Sequence, residues 1–168
     1  MTRLQDFGVP ANAVFVDGKW ISSAGTDLRE IRNPKDGSGV DAVAAGHGDD
    51  VEQAVRAAGK AQADWSSRTP MERAALVLEL ARLIDANAET LARLDTDEGG
   101  KLLAESRIDI GFSAALLRYA AESARRLQGE ILPGENRSEQ LWIQRVPYGV
   151  VAGVTAWNFP AALFARKV

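Results

Sequence analysis

In the stretch VTAWNFP, Val154 to Pro160, an amide side chain, Asn158, stands between two aromatics, Trp157 and Phe159, directly before a proline. A neutral amide can donate to an oxygen that gathers negative charge without needing a salt partner, where aspartate would repel that charge. Asparagine is also among the best helix caps, and both roles suit a residue two places ahead of a helix start. The sequence holds no cysteine and a single histidine, His47. Disulfides, thiolate metal sites and cysteine nucleophiles are thereby absent from the chemistry of these 168 residues. A lone histidine between Gly46 and Gly48 builds no metal site. It reads as an exposed loop residue, and no metal is expected.

The elements that would present Asn158 lie on both sides of it. Val150 to Ala156 is a nearly continuous apolar run, the pattern of a buried strand, and a helix is expected to begin near Pro160. The loop between them would then sit at the carboxyl end of a strand, where open α/β sheets bind ligands. One buried strand feeding one helix is the opening of a βαβ crossover. Its second parallel strand does not arrive before Val168, so the sequence reads as unfinished.

Upstream, VFVDGKW carries an Asp-Gly turn signal between apolar residues, Leu28 to Ile31 alternates, and Asp41 to Ala45 is a further short strand candidate. Helical patterns follow. Asp49 or Asp50 is a candidate cap for a helix whose inner face would hold Val51, Ala54, Val55, Ala58 and Ala61. Thr69-Pro70-Met71-Glu72 spells a capping box with proline at the first helical position. Leu76, Val77, Leu78, Leu80, Leu83 and Ile84 cover most of that helix, which predicts burial on more than one side. Asn87 would cap a shorter helix stopped by Gly99-Gly100. A long helix is expected from about Leu102 to Leu127, ended by Gly129, with Ile108, Phe112, Ala115, Leu116, Tyr119, Ser123 and Leu127 as its core stripe. Leu141 to Val146 alternates like a half-buried strand.

Composition narrows the function classes. Hydrophobic residues make up 46% and charged residues 26%, a globular balance, and a small net charge of −3 with positives spread along the chain argues against an obligate nucleic-acid or membrane-surface partner. The uncharged run from Val146 to Ala165 has the length of a membrane span, but Pro147, Gly149, Gly153, Asn158 and Pro160 interrupt it. No signal-peptide core opens the chain. A cytoplasmic protein with neither a nucleic-acid nor a membrane partner is expected.

The block GVVAGVTAWNFPAALFARK resembles the first signature of the NAD(P)-dependent aldehyde dehydrogenase family, in which the strand, the Trp-Asn-Phe-Pro loop and the lysine matching Lys167 recur together. FVDGKW, Asn33-Pro34, DVEQAVRAA with Trp65 behind it, ERAALVLELARLI, EGGK and YAAESARRLQGE extend the resemblance from about Phe15 to Lys167. It covers only the opening portion of a family enzyme.

The resemblance implies an α/β fold, incomplete here. It would contain short antiparallel strands, a helical cluster, the first strand–loop–helix of a Rossmann-like cofactor domain and part of the oligomerisation strand. Residues 1–168 would form a partial cofactor-binding domain, with 135–148 matching the region through which family subunits pair as homo-oligomers. It also implies that Asn158 donates to the oxygen of a thiohemiacetal. Thr155, Ala156 and Trp157 would line the cleft for NAD or NADP, largely through main-chain atoms, and Phe159, Leu163 and Arg166 would face the aldehyde's entrance. Ala156 stands where family members usually have proline, which loosens the loop. The nucleophilic cysteine, the general-base glutamate and the glycine-bearing cofactor loop lie further along a family chain, so these residues alone are expected to be inactive. DEGGK, ARRLQGEI and FARK look most like the branch that oxidises small hydroxyaldehydes such as lactaldehyde or glycolaldehyde. A different expectation is a non-catalytic interaction module that joins full-length relatives through the strand near Leu141.

Overall fold

The computed structural model describes residues 4–168. Asp17 and Gly18 both take left-handed conformations, φ 53° and 73°, as a two-residue hairpin turn demands. They join β1 (Ala13–Val16) to β2 (Lys19–Ser22). Across this hairpin Phe15 meets Trp20 edge-on, with ring centroids 5.1 Å apart. A second antiparallel pair joins β3 (Leu28–Arg32) to β4 (Gly39–Ala44). A third joins β5 (Glu130–Pro133) to β6 (Gln140–Ile143). The described residues therefore hold three separate two-stranded sheets.

Between the second and third pairs lie α1 (Gly48–Ser67), α2 (Pro70–Ala86), α3 (Ala88–Gly99) and α4 (Leu103–Glu122), and α5 (Pro160–Ala165) closes the order. The capping box at Thr69 forms as its sequence predicts. Thr69 Oγ1 accepts the Glu72 N–H at 3.3 Å, and Glu72 Oε2 accepts the Thr69 N–H at 2.7 Å. Gly100 ends α3 in the left-handed conformation. Helix α4 is the hub, packed against α2, α3 and α5. Ala81, Ala114, Leu117 and Ala165 form the buried centre, surrounded by Val77, Leu80, Ile84 and Leu116. The architecture is the mixed α/β arrangement of short antiparallel strands and clustered helices that the sequence suggested.

Several expectations fail, each for a physical reason. Residues 150–156 form no strand; they run without regular structure and are exposed. A strand is a paired state, and among the described residues no neighbouring strand accepts this segment's N–H groups. Most of the stripe assigned to the core of the long helix faces out: Ile108 is 68% exposed and Tyr119 69%, while Leu116 packs on the core and Ser123 is half-buried. The buried face is instead Ser106, Asp109, Ile110, Ser113, Ala114, Leu117 and Ala121. Its residues are mostly small or polar, so apolar periodicity selected the opposite face. That helix also stops at Glu122, before a short 3-10 turn at Ser123–Arg126.

On α2 only the stripe carrying Ala74, Val77, Leu80, Ala81 and Ile84 turns inward, while Leu76, Leu78 and Leu83 stay exposed. Val51 and Val55 on α1 are likewise exposed. The strand expected over Leu141 to Val146 spans Gln140–Ile143 and is exposed throughout. His47 is exposed in its loop as expected, but it, rather than Asp49 or Asp50, is the cap of α1, its Nδ1 accepting the Asp49 N–H at 3.3 Å. Asp50 completes that box from the third position. Asn87 gives α3 no side-chain cap; its Nδ2 donates to the Leu83 carbonyl at the end of α2. No helix among the described residues is long and apolar enough to cross a membrane.

Candidate active site

Helix α5 is six residues long, and the residue at its cap is Phe159, whose side chain caps nothing. The first N–H groups of a helix need acceptors from outside. The acceptor comes from α4: Asp109 Oδ1 takes the Ala162 N–H at 3.2 Å. Asp109 is wholly buried, and a buried carboxylate needs compensating partners. Its other oxygen, Oδ2, accepts from Lys101 Nζ at 3.2 Å, and Lys101 also reaches Asp95 Oδ2 at 2.8 Å. Burial opposes the charge on Lys101, but the bonds to Asp95 and Asp109 outweigh it and hold the ammonium above the ordinary lysine value. The same ammonium lies 4.9 Å from the centroid of the Phe159 ring, within cation–π range.

Of the two readings of Asn158, the helix cap is not used. Asn158 lies in the turn ahead of the cap, exposed, and its side chain has no intramolecular hydrogen bond among the described residues. With Phe159 it lines a cavity of about 320 Å³ that also meets Lys101, Glu105 and Ile108. Trp157 lines a different, larger groove of about 810 Å³, with Leu91, Leu94, Ile110, Pro160 and Phe164 among its walls. Thr155 and Ala156 lie on the exposed segment before the turn. Leu163 is half-buried on α5. Arg166 is exposed and sets its guanidinium 5.8 Å from the Phe112 ring centroid. Lys167 packs its alkyl chain against Gly153, where an added Cβ would stand 3.4 Å from its Cδ.

Asn158 and Phe159 thus share one cavity, Arg166 sits one helical turn beyond Leu163, and Thr155 to Trp157 approach from the other side of the turn. Lys101 and Asp109 were missed from the sequence. The available signal was an aspartate, Asp109, set between Ile108 and Ile110 within a helix, and nothing in the one-dimensional pattern marks such a residue as buried.

Comparisons with known proteins show the family to which the chain belongs. The model of the Aldehyde dehydrogenase family matches residues 20–168. A 3,6-anhydro-alpha-L-galactose dehydrogenase from Vibrio sp. (strain EJY3) is 36% identical over 92% of the chain and 32% of its own length. A 3-sulfolactaldehyde dehydrogenase from Pseudomonas putida is 34% identical over 100% of the chain and 35% of its own length. The crystal structure of an aldehyde dehydrogenase from Brucella melitensis biovar abortus 2308 superposes with a TM-score of 0.91 at 34% identity, over 99% of this chain and 34% of that one. The chain belongs to the aldehyde dehydrogenase family, and it spans about a third of the length of the curated relatives it matches.

Proposed function

We propose that this chain supplies the oxyanion donor and one wall of the cofactor cleft of an NAD(P)-dependent aldehyde dehydrogenase acting on a small, polar hydroxyaldehyde. The observation that carries the reading is the unspent amide of Asn158: α5 is capped from α4, so the NH2 is left to donate to a ligand. As the aldehyde oxygen gathers charge, a fixed neutral donor stabilises it without a charge of its own to neutralise. Thr155, Ala156 and Trp157 fit a cofactor held through main-chain atoms. They are exposed, and their N–H and C=O groups have no backbone partner among the described residues. Similar solved structures hold NAP in one case and nicotinamide adenine dinucleotide in another. Such a cofactor supplies the hydride acceptor.

The substrate reading rests on Arg166, the exposed cation at the end of the short helix that carries Leu163. It suits a polar or acidic substrate, and one matched relative is a 3-sulfolactaldehyde dehydrogenase. Cysteine is absent from these 168 residues, so they turn over no aldehyde by themselves. The test is expression of this chain alone and joined to any continuation of its own locus that carries a cysteine and a glycine-rich loop. The joined protein is expected to reduce a nicotinamide cofactor with glycolaldehyde or lactaldehyde, and Asn158→Ala to lower kcat by roughly 10²–10³ with KM little changed. Full kcat in that variant refutes the role; turnover by the short chain alone refutes the division of labour.

A second reading, an interaction module, draws on the β5–β6 hairpin. Ile131, Leu132, Leu141, Trp142 and Ile143 are all exposed there, and exposed apolar surface with open strand edges marks a pairing site. In the catalytic reading this hairpin is where subunits of a homo-oligomer meet. In the modular one it captures a full-length relative. Co-purification with such a relative, abolished by Trp142→Asp, supports the module; a clean soluble monomer counts against it.

A further inference from the structure

The buried charge cluster of α4 invites a question that the site itself does not answer. Helices are capped most simply by the side chain just ahead of them, and asparagine is well suited to that. Here an asparagine stands one residue before the cap, yet the acceptor for Ala162 N–H is supplied by Asp109, 53 residues earlier in the chain. The arrangement is costly, because it buries a carboxylate and then needs Lys101 and Asp95 to balance it. A purely structural cap at the loop would avoid that cost and would consume the amide.

We propose that Asp109 is a positioning residue for Asn158, anchoring the first turn of α5 while Lys101, bound to Asp109 and Asp95, braces the Phe159 ring, so that the amide directly ahead of both anchors keeps its direction without being used as a cap. Two contacts on adjacent elements define the turn. The Asp109–Ala162 bond fixes where α5 begins. The Lys101–Phe159 contact fixes the residue next to Asn158 on the side of the 320 Å³ cavity. Lys101 itself has little freedom, since Asp95 on α3 and Asp109 on α4 hold it from two helices. Its side chain is 15% exposed, so the ion pairs are largely shielded from solvent. The value of this anchoring to catalysis rests on the oxyanion-donor reading, but the anchoring is a property of the chain itself.

The test uses nitrogen–proton NMR of the 168-residue chain, which needs no activity. In Asp109→Ala, amide exchange at Ala162 is expected to rise at least about tenfold, the scale of one lost charge-assisted hydrogen bond. The two Asn158 side-chain NH resonances are expected to shift and draw together, while Leu117 and Ala81 keep their protection. Asp109→Asn retains an oxygen for Ala162 and is expected to restore its protection, but not the Asn158 shifts, because an amide no longer holds Lys101. Lys101→Met should move the Asn158 resonances alone. Unchanged Asn158 and Ala162 signals in Asp109→Ala overturn the proposal. So does a uniform loss of protection across α2, α4 and α5, which would make Asp109 a general core residue. If Asp109→Ala does not fold, Asp109→Asn and Lys101→Met decide by the same resonances. Failure of the catalytic reading would appear elsewhere, as an Asn158→Ala enzyme with normal kcat, and would leave these spectra untouched.

Discussion

Gly100 lies flush against the ring of Pro34, so that a Cβ added at position 100 would run into the proline Cγ. This contact ties the loop after β3 to the left-handed turn that ends α3 at φ 75° and delivers Lys101 to the site. Gly100→Ala should therefore carry two costs. The left-handed backbone costs a residue with a Cβ roughly 1–2 kcal/mol, and overpacking against Pro34 adds about 1–3 kcal/mol. Urea denaturation measures the total. Pro34→Ala in the same chain should relieve the second cost and leave the first, so a strictly additive double mutant would contradict the contact.

Thr69 and Glu72 close the N-terminus of α2 reciprocally. Thr69→Ala removes the acceptor for the Glu72 N–H and should cost about 1 kcal/mol. For a chain of this size that is a fall of roughly 2–4 °C in Tm. Thr69→Ser should hold the wild-type value. Equal loss in both variants would mean that something other than the hydroxyl stabilises this end.

Asp50 links the end of β2 to the start of α1, accepting the Ser23 hydroxyl at 2.6 Å, the Ala24 N–H at 2.8 Å and the His47 N–H at 2.8 Å. The Ser23 hydroxyl first, then the Ala24 amide, hold its carboxyl below the usual carboxylate range, and the His47 amide adds to them against the effect of burial. A folded value below the unfolded one means that the unfolded chain binds the proton more readily. The contribution is therefore complete above the unfolded value of about 3.9 and is lost as pH falls through the folded value. Urea midpoints between pH 7 and pH 3 should fall more steeply below about pH 4 in the wild type than in Asp50→Asn. Parallel curves would show that the carboxylate is not held in this way.

Legibility in the sequence followed the range of the interaction. The Asp17-Gly18 turn, the Thr69–Glu72 box and the Gly100 stop depend on residues a few places apart, so their signals are local and all appear in the structure. The path of residues 150–156 depends on strands that must come from elsewhere, and an apolar run states only that partners are wanted. The inner face of α4 was misread because Ser106, Asp109 and Ser113 allow close helix approach without an apolar signature. For the same reason Asn158 was visible as a chemical group, while the pair that caps α5 in its place, Asp109 and Ala162, was not.

Arg166, although exposed, sets its guanidinium 5.8 Å from the Phe112 ring centroid, which ties its charge to α4. Arg166→Trp in the completed enzyme should shift preference from glycolaldehyde toward an alkyl aldehyde, by about tenfold or more in the ratio of kcat/KM. That is the scale of one polar contact to substrate. An unchanged ratio would remove Arg166 from the specificity argument.

Residues 150–156 and α4 differ in what covers them, and hydrogen exchange should report it. Val151 and Val154 are 68% and 84% exposed, whereas Leu117 is 0% exposed at the centre of the helical cluster. Fully burying a valine is worth roughly 1.5–3 kcal/mol, so an uncovered run of them contributes nothing that would hold the segment in one conformation. Its amides also lack backbone partners among the described residues. Opening there needs no disruption of packing, while opening at Leu117 requires the helices to part. Amides of Val150 to Ala156 should exchange near the rate of an unstructured peptide, and those around Leu117 slower by several orders of magnitude. Comparable protection in both would mean that the apolar segment has found cover, by pairing with a second copy or by folding back on the helices. Dilution separates the two, since only the first loses protection as the chain concentration falls.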